Sequence, residues 1–69
     1  MMYYTRITKG EVGQGVIAVY SLPSERQPIG EAYYCGQDRY GAEVWTLKIF
    51  GQWLDDRWRL VGRQFVLTR

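Results

Sequence analysis

The sequence predicts an all-β or β-dominated domain, folded as a small antiparallel barrel or a strongly bent sheet of five or six strands. Three observations carry this prediction. Short segments rich in aromatic and β-branched residues recur at spacings of about 8–12 residues. Glycine or proline separates most of these segments. Apolar and polar residues alternate along residues 45–49, within the segment 42–50, as on a strand with one buried face.

The chain is expected to form one domain, residues 1–69, because a chain of this length has room for a single core. A domain of this size buries only about 60% of the surface of its unfolded chain. Three Trp, six Tyr and two Phe compensate, since each ring can bury roughly 150–250 Å². We therefore expect a dense aromatic core, with some of the rings at the surface.

The first half of the chain predicts two strands and two breaks. Residues 2–7 are aromatic and β-branched, which is typical of a strand. Residues 9–15 are rich in glycine, which favours positive φ, and they predict a flexible hairpin. Residues 16–20 are apolar at every position, which predicts a central strand covered on both sides. Residues 22–28 end this pattern, because their two prolines donate no backbone hydrogen bond.

The second half predicts four more strands, over residues 29–35, 42–50, 57–61 and 64–68. The second of them shows the alternation most clearly. Trp45, Leu47 and Ile49 share one face. The polar residues Thr46 and Lys48 lie on the other, together with Val44 and Phe50.

A helix is the alternative at two places. Over residues 44–55 a helix would leave no continuous polar face, which favours the strand. Ser24 and Gln27 resemble a capping box, but Pro28 limits any helix there to about one turn. Strands therefore account for the pattern better than helices.

Charge is distributed unevenly along the chain. Residues 57–69 hold four arginines and no acidic residue, whereas residues 1–56 hold five basic and seven acidic side chains. The net charge of +2 is thus a cationic C-terminal segment on a slightly acidic body. Arginine clustered with aromatic residues is typical of a surface that binds a partner.

The parity of this cationic segment predicts which of its side chains face outward. On a strand, Trp58 and Leu60 would face the core. Phe65 lies on the opposite parity, so a bulge or turn is expected at Gly62. The outer face is then expected to carry three arginines, Arg57, Arg59 and Arg63.

Catalysis, a metal and a cofactor have no support in the sequence. There is no His, the commonest general base. Cys35 has the uncharged neighbours Tyr34 and Gly36, and it is expected to be a half-buried strand residue rather than a nucleophile. Asp55 and Asp56 are adjacent, which suits a turn better than an acid–base pair. We expect a protein that is not an enzyme.

The cellular location is expected to be cytoplasmic. A single Cys indicates a reducing compartment. The first ten residues lack the apolar stretch of a signal peptide. The longest apolar run, residues 16–20, is far shorter than the roughly 18 residues of a membrane span. No membrane partner is expected.

The expected function is non-enzymatic docking onto a macromolecular partner, through an Arg/aromatic face or the edge of the sheet. A protein partner ranks first. A nucleic-acid-binding module is the alternative, and it ranks second because the chain has only two Lys and a modest net charge. Self-association through a sheet edge is the third hypothesis. The residues expected to contact the partner are Arg57, Arg59, Arg63, Trp53, Arg39 and Tyr40.

Two likenesses accompany this hypothesis. Residues 18–22, Ala-Val-Tyr-Ser-Leu, and a later Trp-bearing segment resemble SH3 domains, which are similar in size to the expected barrel. The resemblance covers only these few residues, and it implies no binding residue. The small size and the lack of catalytic groups are similar to the inhibitor proteins of phages and mobile elements, which suggests an inhibitor or an adaptor.

Overall fold

The computed structural model describes residues 2–6 and 15–68, which form seven short strands and no helix. The predicted all-β class is confirmed. The single turn of helix considered near Ser24 is instead a turn in which the Glu25 amide donates to the Leu22 carbonyl. The strands are β1 (Tyr3–Tyr4), β2 (Val16–Val19), β3 (Gly30–Gln37), β4 (Glu43–Ile49), β5 (Gln52–Trp53), β6 (Trp58–Val61) and β7 (Gln64–Leu67).

All the strands pair antiparallel in one sheet that curls into a nearly closed barrel. The order of neighbours is β1-β7-β6-β4-β3-β2. β5 lies off this path and pairs with the C-terminal end of β4, whereas β6 pairs with the N-terminal part of β4. A bridge between Tyr4 and Tyr20 brings the two ends of this path together. Each of these residues donates its amide to the carbonyl of the other, at 2.8 and 2.7 Å. The prediction of a small antiparallel barrel is therefore confirmed.

The inward face of the barrel forms one aromatic core. Tyr3 and Trp58 pack edge to face with ring centroids 5.3 Å apart, and Trp45 and Phe65 do so at 6.0 Å. Such edge-to-face pairs contribute about 0.5–1.5 kcal/mol beyond their buried area. The buried side chains of this cluster are Tyr3, Ile17, Val19, Ala32, Trp45, Leu47, Ile49, Trp58 and Phe65.

The close approach of β3 and β4 depends on Gly30. It pairs with Ile49, and a Cβ added at this position would overlap the carbonyl oxygen of Lys48. That oxygen belongs to the backbone of the sheet and cannot move aside as a flexible side chain would. Any side chain at residue 30 would therefore separate the two longest strands of the barrel.

The structure corrects two predictions about burial. Residues 16–20 were expected to form a strand covered on both sides, but β2 buries only Ile17 and Val19 and leaves Val16 exposed. The reason is that only the inner face of a barrel strand meets the core. Cys35 was expected to be half-buried, but it is exposed. It occupies a bulge between Tyr34 and Gly36, where β3 has an extra residue relative to β4.

Other predictions are confirmed, wrong or outside the described residues. Trp58 is buried and Leu60 is half-buried against the core, as expected. The chain turns at Gly62, whose φ of +62° suits glycine. The helix considered over residues 44–55 is wrong, because β4, a tight turn and β5 occupy most of this range. The hairpin expected over residues 9–15 lies outside the described residues except for Gly15.

Candidate functional site

The loop between β3 and β4 presents the most exposed aromatic ring of the described residues. Tyr40, a predicted partner-binding residue, is 85% exposed at the tip of this loop. The carboxylate of Asp38 accepts hydrogen bonds from the amides of Tyr40 and Ala42, at 2.8 and 3.0 Å. The Asp38 amide also donates to the Ala42 carbonyl, at 2.9 Å. This pattern holds the backbone beneath the Tyr40 ring in one conformation.

Arg39 lies close to this ring, and Arg59 lines the same groove as Tyr40. The Arg39 guanidinium carbon is 5.9 Å from the centroid of the Tyr40 ring, which is within cation–π range. Arg59, in the middle of β6, lies between Val44 of β4 and Val66 of β7. Tyr40 and Arg59 line one groove of about 460 Å³, whose other walls are Asp38, Ala42, Leu67 and Thr68. We call it the Tyr40 groove.

The other two arginines of the predicted site lie outside the strands. Arg57 directly precedes β6, and its carbonyl accepts the amide and the hydroxyl of Thr68 at 3.0 and 3.1 Å. Arg63 lies in the turn between β6 and β7, and its carbonyl accepts the Thr5 amide at 2.8 Å. Of the three arginines expected on one strand face, only Arg59 is therefore in a strand. The turn at Gly62 ends β6 before Arg63.

No carboxylate of the described residues neutralises these arginines. Within residues 2–6 and 15–68, no ion pair involves any of the guanidinium groups of Arg39, Arg57, Arg59 and Arg63. All four residues are exposed. The side of the barrel around β6 therefore carries exposed positive charge that no carboxylate of the described residues neutralises.

Trp53 lies apart from the Tyr40 groove. It is 55% exposed on β5, and its ring lies 4.9 Å from the ring of Tyr33, centroid to centroid. The ammonium nitrogen of Lys48, its partner across the strands, is 5.5 Å from the Trp53 centroid. A second groove, of about 400 Å³, is lined by Tyr3, Trp53, Leu54, Asp55, Asp56, Trp58 and Leu67. We call it the Trp53 groove.

The six predicted site residues thus do not form one surface. Tyr40 and Arg59 share a groove, and Arg39 lies beside Tyr40. Trp53 lines a different groove, with two acidic residues. A prediction from sequence places these side chains on strands or turns, but their grouping depends on how the sheet closes.

Phe50 is an exposed aromatic residue that the sequence analysis did not select. It is 76% exposed in the two-residue turn between β4 and β5, with a φ of +50°. A bulky residue rarely adopts this conformation, for which Asn or Gly is usual. The signal in the sequence is the pair Phe50-Gly51 between two apolar segments, at a place where Asn-Gly would be typical of a hairpin.

Several other features of the described residues bear on chemistry. Among residues 2–6 and 15–68, no group of three or more His, Cys, Asp or Glu side chains is arranged to hold a metal ion. The indole N–H groups of Trp45 and Trp58 are buried without a hydrogen-bond partner in this part of the chain. Residues 2–6 and 15–68 contain no helix with the length and apolar character of a membrane span.

Comparison with known proteins adds no relative. No protein-family model, no curated protein and no solved structure matches the chain. The function is therefore inferred from the two grooves and from the side chains that line them.

Proposed function

We propose that this protein is a non-enzymatic binding module that docks onto an acidic surface of a partner protein through the Tyr40 groove. Such a module acts as an inhibitor or an adaptor, because its contribution is to occupy a surface of the partner. The observation that carries the proposal is the pairing of a preorganised exposed tyrosine with an unpaired arginine in one groove.

The Tyr40 ring is suited to be an anchor in an interface. Tyr and Arg are among the residues most enriched in binding hot spots. The Asp38 carboxylate already fixes the loop backbone through two hydrogen bonds. Less conformational entropy is therefore lost when a partner covers the ring, which favours affinity.

The free guanidinium groups indicate the charge of the partner surface. Arg59 lines the groove, and Arg39 lies against the Tyr40 ring. Neither forms an ion pair within the described residues, so both can bind carboxylates of a partner. An acidic protein surface carries a few separated carboxylates, and their number suits binding to a few arginines.

Carboxylates near the groove favour a protein over nucleic acid. Asp38 lines the Tyr40 groove, and Glu43 lines the adjoining depression that shares Arg59. A phosphate backbone carries closely spaced negative charges, which these two carboxylates would repel. A protein partner can place a donor opposite Asp38 or Glu43 and a carboxylate opposite Arg59.

The test is capture of a partner by the immobilised chain from a lysate treated with nuclease, followed by affinity measurement with the purified partner. Tyr40→Ala is expected to weaken binding about 30-fold, equivalent to about 2 kcal/mol, since it removes the anchor. Arg59→Ala is expected to weaken binding and to reduce its dependence on salt. Arg26→Ala is the matched control, because Arg26 is exposed in the loop between β2 and β3 and lines neither groove.

Three outcomes would overturn this proposal. Capture that is lost on nuclease treatment would assign the arginines to nucleic acid. A melting temperature that rises with protein concentration, with a dimer mass by light scattering, would assign the surface to self-association. Equal losses for Arg59→Ala and Arg26→Ala would show that the groove has no special part in binding. Circular dichroism of each variant verifies that the barrel is still folded.

A further inference from the structure

We propose that the Trp53 groove binds a cationic side chain, namely a lysine side chain of a partner polypeptide. This inference goes beyond the proposed function, because two aspartates and no arginine of the described residues line the Trp53 groove, and Leu67 is the one described residue that it shares with the Tyr40 groove. The two sites can therefore be tested separately.

The walls of the Trp53 groove suit the alkyl part of a long side chain. Trp53 is exposed, Leu54 and Leu67 are half-buried, and the buried residues Tyr3 and Trp58 complete the apolar lining. Tyr3 and Trp58 are fixed by their edge-to-face contact in the core. A methylene chain that lies along the Trp53 ring and the two leucines is removed from water while its charged end stays at the rim.

Trp53 already contacts an ammonium group within the chain. The Lys48 nitrogen lies 5.5 Å from the centroid of the Trp53 ring, inside the cation–π limit of about 6 Å. The indole ring remains 55% exposed despite this contact and its contact with Tyr33. The same ring thus has surface left for a second cation from a partner.

The charge of the groove selects a cation over an anion. Asp55 and Asp56 both line it and are both exposed, and no basic residue among residues 2–6 and 15–68 lines it. Within the described residues, neither carboxylate forms an ion pair. An ammonium group at the rim gains from two carboxylates and an indole face together, whereas a carboxylate or phosphate would be repelled by both aspartates.

The test uses nuclear magnetic resonance of the full chain labelled with ¹⁵N, titrated with the capped tripeptide glycyl-lysyl-glycine. We expect saturable shifts of the indole N–H of Trp53 and of the Asp55 and Asp56 amides, with a Kd on the order of 1 mM. The same tripeptide with norleucine in place of lysine retains the methylene chain and lacks the charge. It is expected to cause no saturable shift.

Variants identify the groups responsible. Asp55→Asn combined with Asp56→Asn retains the shape of both exposed side chains and is expected to weaken lysine binding about fivefold. Glu25→Gln is the matched control, because it removes one negative charge at an exposed residue that does not line the groove. Trp53→Leu is expected to abolish the shifts of the Asp55 and Asp56 amides. The double asparagine variant tests the inference even if Trp53→Leu unfolds.

Three results would overturn the inference. The first is equal binding of the norleucine peptide, and the second is unchanged affinity after the double asparagine substitution. The third is the absence of a saturable shift at a peptide concentration of about ten times the expected Kd. Shifts confined to Tyr40 and Arg59 would also overturn it. Tyr40→Ala is expected to leave lysine binding unchanged, so failure of the Tyr40 groove and failure of the Trp53 groove give distinguishable results.

Discussion

The two hairpins that include β4 each present an exposed aromatic ring, but their backbones support it differently. At the first tip, Asp38 accepts two amides and Gly41 supplies the positive φ, at +81°, so that Tyr40 has an unstrained backbone. At the second tip, Phe50 itself adopts a φ of +50°, followed by Gly51 at +78°. Positive φ at both residues is the pattern of a type I′ turn, which favours Asn or Gly at the position of Phe50.

The difference shows which parts of the barrel follow from local sequence and which from tertiary contacts. The first loop contains its own stabilising groups within five residues. The second turn depends on a neighbour, because the Phe50 amide donates to the carbonyl of Ile29 at 2.8 Å. The close pairing of Gly30 with Ile49 fixes the end of β4 in the same place. The strain at Phe50 is thus maintained by β3 and by Ile29, the residue that precedes β3.

The largest effect is expected at the glycines of β3 that lie near these two turns. Gly30→Ala should destabilise the fold by about 3 kcal/mol, since its Cβ would overlap the backbone of β4. Gly36→Ala should cost only about 1–2 kcal/mol, because Gly36 has open space around it but a φ of +100°. Urea unfolding measures both changes. Equal losses would show that the second turn does not depend on close strand pairing.

A smaller loss is expected from Asp38→Ala, which removes the acceptor for two amides of the first loop. The loss in stability should be about 1–2 kcal/mol, as for other side-chain caps of backbone amides. Asp55→Ala is the control, since Asp55 is also exposed and accepts no hydrogen bond from the described residues. If the two variants unfold at the same urea concentration, the first loop does not depend on its own carboxylate.

The smallest effect, and a gain, is expected from Phe50→Asn. Asn tolerates positive φ, so the substitution should relieve strain and stabilise the chain by about 1 kcal/mol. Tyr40→Asn is the matched control. It replaces an equally exposed ring that has no positive φ, and it should change stability by less than about 0.5 kcal/mol. A loss of stability in Phe50→Asn would show that the Phe50 ring makes a stabilising contact.

Sequence reasoning located the strands well and the candidate sites only in part. The alternation of Trp45, Leu47 and Ile49 predicted β4 and its buried face, because the period of a strand is local. The exposure of Tyr40 next to Asp38 and Gly41 also follows from loop chemistry. The separation of Trp53 from Arg59 does not, because it depends on β5 and β6 pairing with different parts of β4.

By itself, the sequence determined the all-β class, the main core-facing side chains of β4 and β6, and the cationic character of residues 57–69. These properties depend on residue type and on a two-residue period. Tertiary structure alone decided that Arg59 lines a groove with Tyr40 and that Trp53 lines a groove with Tyr3 and Leu67. It also decided that Cys35 lies in an exposed bulge and that Phe50 is held at positive φ. The physical reason is that barrel closure fixes distances between residues far apart in the chain, and no local pattern encodes those distances.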